Sequence, residues 1–216
     1  LGIASSDAHS VGAAYTGYTM MLMPENTSEN LKTAMSTGAF FAASKKLGNN
    51  EELKEICNYL LENGDAEAVA IAEGVLARQA DNYNAKYEAP LDVEAPYINS
   101  VIVDEAEDRI TLDTTDDLCI RWIANGNTIA YGNSLDLDEY GSKIGSYVRA
   151  EIFGVGGIVY TQAFLLEYDG MPEADINENF NDVDAGLFAG IDNFIRALGK
   201  MIAAFAQPIL KVFGVA

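Results

Sequence analysis

Histidine and cysteine are scarce in this chain of 216 residues. His9 is the single histidine, and Cys57 and Cys119 are the two cysteines. A catalytic zinc ion usually takes three protein ligands and a water, so the histidines of this chain cannot build such a site alone. Two cysteines form no disulfide framework, and these two fall in a predicted helix and a predicted strand of different parts. We therefore expect both thiols to be free.

Basic residues are also few. The chain has 13 lysines and arginines against 33 acidic residues, which gives a net charge of −20. Binding to nucleic-acid phosphates needs clustered lysine and arginine, so the composition excludes nucleic-acid binding through basic patches. It does not exclude a small phosphorylated substrate, because bound metal ions can reverse the local field. The hydrophobic fraction of 49% is ample for a core.

The first ten residues, LGIASSDAHS, carry the most specific chemistry. Their apolar start predicts a buried strand, and functional residues of α/β barrels gather at the C-terminal ends of such strands. Asp7 and His9 are two apart, so in an extended segment their side chains leave the same face. A carboxylate with a neutral imidazole suits Zn²⁺, Mn²⁺ or Fe²⁺. A turn or a helix cap is the alternative interpretation of such a pair.

Three further phrases follow this motif: Thr16-Gly17-Tyr18-Thr19, then Thr27-Ser28-Glu29-Asn30-Leu31 with Ala34-Met35, and Gly38-Ala39-Phe40-Phe41-Ala42-Ala43-Ser44. Together with residues 2–9 they resemble the end of the PHP family (polymerase and histidinol phosphatase). The resemblance implies that residues 1–46 hold the last βα elements of a distorted (β/α)₇ barrel, which Phe40–Ser44 closes. It also implies that Asp7 and His9 bind divalent transition metal ions (Mn, Zn or Fe) in a multinuclear centre. The implied activity is hydrolysis of a small phosphate ester by metal-activated water.

The chain departs from the pattern of that family because it has no His-x-His and no further histidine. It also starts at Leu1, without a methionine. We infer that it is the C-terminal piece of a longer protein, and we expect no activity from the piece alone. No residue here is assigned a catalytic role. Ser6 and Ser10 stand next to the proposed ligands, where they could orient them or touch phosphate.

Helical patterns dominate the next part of the chain. Thr19–Met23 is a predicted strand, and a helix over Ser28–Thr37 begins at Asn26 or Thr27 and ends at Gly38. Over residues 47–90 we predict a helical hairpin that covers the barrel or acts as a spacer, with Gly64 and Asp65 at its joint. Its first helix has an apolar stripe formed by Leu53, Ile56, Cys57, Leu60 and Leu61.

Residues 91–169 change to a period of two and predict an immunoglobulin-like antiparallel β-sandwich. Trp122 lies in the middle of a strand as a core residue, and Tyr147 resembles the corner tyrosine of that fold. Gly154-x-Gly156-Gly157 predicts a hairpin turn and not a dinucleotide loop, because no helix follows. The seven predicted strands are Ile98–Val103, Arg109–Asp113, Leu118–Ala124, Thr128–Tyr131, Ser134–Leu137, Tyr147–Phe153 and Ile158–Tyr168.

Residues 170–216 predict an acidic linker and an amphipathic C-terminal helix. The segment from Asp175 begins like a calcium loop, but Phe180 replaces its glycine and Gly186 its glutamate, so a solvated linker is favoured. Charged residues interrupt the apolar helix that follows, which therefore does not span a membrane. We expect it to dock on its own domain or on the parent barrel. A protein partner, a second copy and a membrane surface remain alternatives.

The sequence as a whole predicts an α+β chain in four parts: the end of a PHP-type barrel, a helical hairpin, a β-sandwich and an amphipathic tail. Two functions follow. The first is the C-terminal portion of a metal-dependent phosphoesterase, and the second is a non-catalytic sandwich that tethers the protein to a partner, a glycan or a surface. By analogy with other acidic proteins that carry an appended sandwich, we expect an extracytoplasmic location.

Overall fold

The computed structural model describes residues 2–6, 8–10, 14–47 and 50–166. Within these ranges the chain is α+β, as predicted, with three helices and twelve strands that pair in antiparallel fashion. By its contacts the chain divides into one unit of residues 1–168 and a second of residues 169–216. The predicted acidic linker and tail helix lie outside the described residues. None of the described helices is long and apolar enough to cross a membrane.

The first segment is not the buried strand that its apolar start predicted. Residues 2–6 and 8–10 form no regular element, and Ile3 is 67% exposed. Ala4 is tied to Thr19: the Ala4 N–H donates to Thr19 Oγ1 at 3.0 Å, and that hydroxyl donates to the Ala4 carbonyl at 3.1 Å. An apolar run indicates a buried strand only where both of its faces are covered. Since Ile3 stays exposed, the prediction is wrong here.

Strand β1 (Gly17–Met21), helix α1 (Ser28–Thr37) and strand β2 (Phe40–Ser44) come next. Helix α1 has the predicted ends: the Thr27 hydroxyl accepts the N–H of Asn30, and Gly38 ends the helix at a left-handed φ of 76°. Strand β2 has antiparallel neighbours on both sides. Neighbouring strands of a (β/α) barrel are parallel. Phe40–Ser44 therefore does not close a parallel barrel within the described residues.

The helical hairpin matches its prediction closely. Helix α2 spans Asn50–Asn63 and helix α3 spans Ala66–Asp81. At the joint, Asp65 Oδ1 accepts the N–H groups of Glu67 at 3.1 Å and Ala68 at 2.9 Å, which begins α3. The predicted apolar stripe of α2 is buried except for Leu61, which is exposed.

Two short strands, β3 (Lys46–Leu47) and β4 (Tyr87–Glu88), pair with each other on either side of the hairpin. The region of period two then forms the strands predicted for it, with one change: the last predicted strand is interrupted at residues 161–163, because its two halves pair with opposite ends of β10. The strands are β5 (Tyr97–Asp104), β6 (Arg109–Thr115), β7 (Cys119–Ala124), β8 (Asn127–Tyr131), β9 (Ser134–Asp136), β10 (Tyr147–Gly154), β11 (Gly157–Tyr160) and β12 (Phe164–Leu165).

The predicted glycine-rich hairpin turn is confirmed, and packing explains its composition. Gly154 pairs with Gly157 across the turn between β10 and β11. A Cβ atom at Gly156 would collide with the carbonyl oxygen of Glu94. The same stretch of chain is held by the buried Lys45, whose Nζ donates to the carbonyls of Val93 and Pro90. Gly156 is therefore needed for close approach of two backbones.

The strands form one large and one small sheet. The large sheet has the order β1-β2-β11-β10-β7-β8, with β12 also paired to β10, and the small sheet has the order β5-β6-β9. Because β2 pairs with β11, the large sheet joins strands from the predicted parts 1–46 and 91–169. The predicted boundaries at residues 46 and 90 therefore do not separate two sheets.

The described residues are arranged in three layers. One core cluster lies between the small and large sheets and includes Ile110 and Leu135 from the small sheet with Trp122 and Ile152 from the large sheet. A second cluster lies on the opposite face of the large sheet, against the hairpin, and includes Leu53 and Ile56 with Phe153 and Ile158. The large sheet is therefore covered on both faces, with the small sheet on one and α2 and α3 on the other.

Candidate functional site

The predicted metal ligands, Asp7 and His9, belong to the N-terminal segment, whose described residue Ala4 bonds to the edge strand β1. Asp7 falls outside the described residues, and His9 is exposed. The segment is held at two points: Ala4 bonds to Thr19, and Gly2 exchanges two hydrogen bonds of 2.7 Å with the side chain of Gln162. No group of three histidine, cysteine or acidic side chains that could hold a metal ion occurs among the described residues. The two serines named with these ligands are also described, Ser6 as half-buried and Ser10 as exposed.

A second candidate site, which the sequence analysis did not anticipate, lies between α2 and the large sheet. Arg121 on β7 and Glu151 on β10 face each other in register. Their side chains are 4% and 1% exposed. The Arg121 Nε donates to Glu151 Oε2 at 2.7 Å, and its Nη2 also contacts Glu151 and Glu52. We call Arg121, Glu151, Glu52, Glu55 and Arg149 the charge cluster.

Strand alternation explains how these charges reach one face. Residues 120, 122 and 124 of β7 face the small sheet, so residues 119, 121 and 123 face the hairpin. Helix α2 brings Glu52 and Glu55, which are three residues apart and therefore share its surface. Glu55 Oε2 lies 3.4 Å from Arg121 Nη1, and Arg149 contacts the other oxygen of Glu151. Three carboxylates thus surround two guanidinium groups.

The two most closely placed carboxylates have opposite pKa shifts. Burial, followed by the hydrogen bond and the charge of Glu151, raises the pKa of Glu52 to about 7. Burial also acts to raise the pKa of Glu151, but Arg121, the hydrogen bond from Glu52 and Arg149 outweigh it, so the pKa of Glu151 is lowered. As the pH falls through about 7, the pair therefore takes up one proton on Glu52, which donates a hydrogen bond to Glu151.

Two tyrosines extend the cluster toward the edge strand β8. The Tyr131 hydroxyl donates to Glu55 Oε1 at 3.1 Å, and its ring stacks on Tyr59 with a centroid separation of 3.9 Å and an interplanar angle of 5°. Burial, followed by the charge of Glu55, raises the pKa of Tyr131. Tyr131 therefore stays neutral and donates its hydrogen bond across the physiological pH range.

A cleft of about 690 Å³ opens beside the charge cluster and is lined by parts of α2, β7, β8 and β10. Thr128 lines this cleft, and its buried hydroxyl has no hydrogen-bond partner among the residues that the structure describes. A carboxylic acid with a pKa near 7 beside an ionised carboxylate can take up or release a proton near neutral pH. The same contacts also fasten the hairpin to the sheet, and ion-pair networks of this kind shift pKa values without catalysing anything.

The sequence does contain a signal for the charge cluster. Arg121 interrupts the apolar run CIRWIA, and Glu151 stands between Ala150 and the apolar pair Ile152-Phe153 in YVRAEIFG. Opposite charges with apolar neighbours in two strands indicate a buried pair, because an unpaired buried charge is very costly. Cys57 and Cys119, in contrast, are free, as predicted, and the structure shows that both are buried. Burial raises the pKa of Cys57 to about 11 and of Cys119 to about 12, so neither is a reactive thiolate.

Comparison of the chain with protein-family models, with curated proteins and with solved structures found no match.

Proposed function

We propose that this chain is the C-terminal portion of a metal-dependent phosphoesterase and contributes Asp7 and His9 to its metal centre. The observation that carries the proposal is the phrase Ser6-Asp7-Ala8-His9 followed, in order, by a glycine-tyrosine segment, a capped helix and an aromatic-alanine strand. The exposed position of His9 supports it, because a ligand shared with another part of a protein must be accessible to that part.

The residues present fit a divalent metal ion only in part. A carboxylate and an imidazole two residues apart suit Mn²⁺, Zn²⁺ or Fe²⁺, but two donors fall short of the three that a catalytic zinc site commonly uses. The remaining ligands, and the barrel that holds them, would lie outside these 216 residues. Such a metal ion would lower the pKa of a bound water and neutralise charge on the phosphate ester.

The residues of this chain would position the two ligands. The bonds of Ala4 to Thr19 and of Gly2 to Gln162 fix the segment against β1 and against residues just before β12. The strands that residues 91–169 contribute to the small and large sheets would form the appended immunoglobulin-like sandwich, and the buried Trp122 and the antiparallel pairing support that assignment. In this proposal the sandwich is a scaffold for the ligand segment and has no catalytic residue of its own.

Metal content decides this proposal first. We expect elemental analysis of the full-length protein to find two or three equivalents of transition metal, as in a multinuclear centre. Replacement of both ligands, Asp7→Asn with His9→Gln, should lower the metal content and abolish Mn²⁺- or Zn²⁺-dependent hydrolysis of a phosphate ester. Asp92→Asn is the matched control, because Asp92 is an exposed loop aspartate. Unchanged hydrolysis in the double variant would overturn the assignment.

The alternative is a non-catalytic tethering module. The observation that favours it is that the described residues hold no group of three side chains suited to a metal ion. Absence of bound metal from both the wild type and the double variant would support this alternative. In that case the sandwich and its surfaces would be the working parts of the protein.

A further inference from the structure

A groove of about 680 Å³ is lined by residues of β5, β6 and β12 and by the segment that follows β9. Its apolar floor consists of Val103, Leu137, Ile144, Leu165 and Leu166. Leu137, Ile144 and Leu166 pack against the core between the sheets, so the floor is firmly supported. Val103 on β5 and Leu165 on β12 are 56% and 81% exposed. Exposed apolar residues that line one groove are typical of an interaction surface.

The rim of the groove is acidic. Four exposed carboxylates line it, those of Asp104, Glu105, Asp108 and Asp138. Arg109 is the basic residue among the described lining residues, and its Nη2 is already paired with Asp136 Oδ2 at 2.9 Å. The rim therefore presents a net negative charge to any approaching molecule.

Backbone hydrogen bonds hold the rim in place. Asp104 Oδ1 accepts the N–H groups of Ala106 at 3.0 Å and Glu107 at 3.2 Å, which closes the turn between β5 and β6. The Leu137 N–H donates to the Asp108 carbonyl at 2.7 Å and joins this turn to the segment after β9. The acidic side chains thus stand on two turns that a backbone hydrogen bond joins.

Two edge strands contribute residues to the same groove. β5 is the outer strand of the small sheet, and β12 pairs with β10 on one side. Within the described residues neither strand has a partner on its other side. An extended peptide can add to such an edge, with main-chain hydrogen bonds supplying affinity and pockets for alternate side chains supplying specificity.

We propose that this groove binds an extended, basic segment of a partner protein, in which apolar side chains alternate with lysine or arginine. The apolar residues would cover Val103 and Leu165, and the basic residues would meet the carboxylates of the rim. Charge selects this occupant among the alternatives. Nucleic acid and anionic lipid are repelled by the rim, and so is a second copy of a chain with net charge −20. The proposal is independent of the metal centre.

The test uses the full chain and a synthetic peptide of alternating leucine and lysine, followed by fluorescence anisotropy. A serine-lysine peptide has the same charge without apolar side chains, and a leucine-glutamate peptide has the opposite charge. We expect the leucine-lysine peptide to bind at least about tenfold more tightly than either control, with an affinity that falls as salt rises.

Variants localise the binding. Leu165→Ser with Val103→Ser should weaken it roughly tenfold. Asp104→Asn with Asp138→Asn should do so by a similar factor and keep the β5–β6 turn, because asparagine at position 104 also accepts the N–H groups of Ala106 and Glu107. Glu62→Gln with Glu73→Gln, which removes two exposed charges from the hairpin, is the matched control and should change affinity less than about twofold. Equal weakening by the control pair, or equal binding of the serine-lysine peptide, would overturn the proposal. Both results would indicate attraction to the total charge and not to the groove.

Discussion

The two faces of the large sheet are built on different principles. On the face toward the small sheet, alternate residues of β7 and β10 are apolar and close-packed, with Trp122 fully buried and its Nε1 donating to the Gly132 carbonyl at 2.9 Å. On the face toward the hairpin, the same strands present Arg121 and Glu151 to glutamates of α2. The first face stabilises the fold through the apolar area that it buries. The second face adds directional contacts, which favour a single position of the helices on the sheet.

This difference has an energetic consequence. Apolar burial tolerates small shifts of one layer over another, because it has no preferred direction. A buried ion pair contributes little net stability, but loss of one partner leaves an uncompensated charge. We therefore expect substitutions on the two faces to lower the free energy of unfolding by similar amounts, and we expect that loss to depend on pH for the charged face only.

The largest effect should come from Trp122→Ala on the apolar face. It leaves a cavity between the sheets, and the free energy of unfolding should fall by about 4 kcal/mol. The loss should be the same at pH 5 and pH 8, because the buried residues that form this cluster with Trp122 are apolar and do not titrate. Urea denaturation at the two pH values measures it, and a strong pH dependence would contradict the assignment of this face as purely apolar.

Arg121→Met should come next. It keeps much of the side-chain volume but leaves Glu151 and Glu52 without their shared guanidinium, at a cost of about 3 kcal/mol at pH 8. At pH 5 the cost should be smaller, because protonation removes the unpaired charges. Arg109→Met is a control that breaks an exposed ion pair with Asp136 and should cost less than about 1 kcal/mol. Equal losses at both pH values would argue against the charge cluster.

Glu52→Gln tests the shared proton and has a defined sign. The pKa of Glu52 rises from 4.5 to about 7 on folding, so the folded state binds more protons between these values and the wild type loses stability as pH rises through this window. Glutamine keeps a donor for Glu151 and does not titrate. Relative to the wild type, the variant should therefore gain up to about 2 kcal/mol of unfolding free energy between pH 4.5 and pH 8, once the shift is discounted for solvent screening of a half-buried group.

Denaturant titrations of both proteins at closely spaced pH values check this prediction. Glu51→Gln is the matched control, since Glu51 is exposed on the same helix turn. A difference between Glu52→Gln and the wild type that stays constant with pH would place the proton elsewhere.

The smallest effect should come from Tyr131→Phe. The substitution removes the hydrogen bond to Glu55 Oε1 and keeps the ring that stacks on Tyr59. We expect a loss of about 1 kcal/mol, the usual contribution of one such bond. Tyr83→Phe removes an exposed hydroxyl bond to Glu51 and should be nearly neutral. Thermal denaturation of the two variants gives the comparison, and equal losses would mean that the hydroxyl of Tyr131 adds nothing to the docking of α2.

The sequence predicts the local elements well, because their signals are local. Asp65 begins α3, Gly38 ends α1, and the pair Asn125-Gly126 forms the two-residue turn between β7 and β8 with φ values of 51° and 76°. It fails where the outcome depends on distant residues. Ile3 is exposed because no layer covers it, and the pairing of β2 with β11 has no local signature.

The candidate site divides in the same way. Arg121 and Glu151 stand out in the sequence as charges with apolar neighbours. Their partner Glu52 does not stand out, because it lies in the first turn of α2 next to another glutamate, Glu51. Only the docking of α2 on the sheet selects Glu52 and Glu55 from the neighbouring Glu51. The metal-ligand phrase is the reverse case: its residues are conspicuous in the sequence, while Asp7 lies outside the described residues.

The place of β2 in the large sheet has a consequence for synthesis of the chain. Ser44 pairs with Ile158, so β1 and β2 leave the ribosome long before β11 exists to receive them. At roughly 10 residues per second the interval is on the order of ten seconds. The helical hairpin, whose contacts are local, can form within that time. The nascent protein therefore carries an incomplete sheet beside finished helices, and the edge of β2 that will receive β11 stays unpaired until β11 emerges.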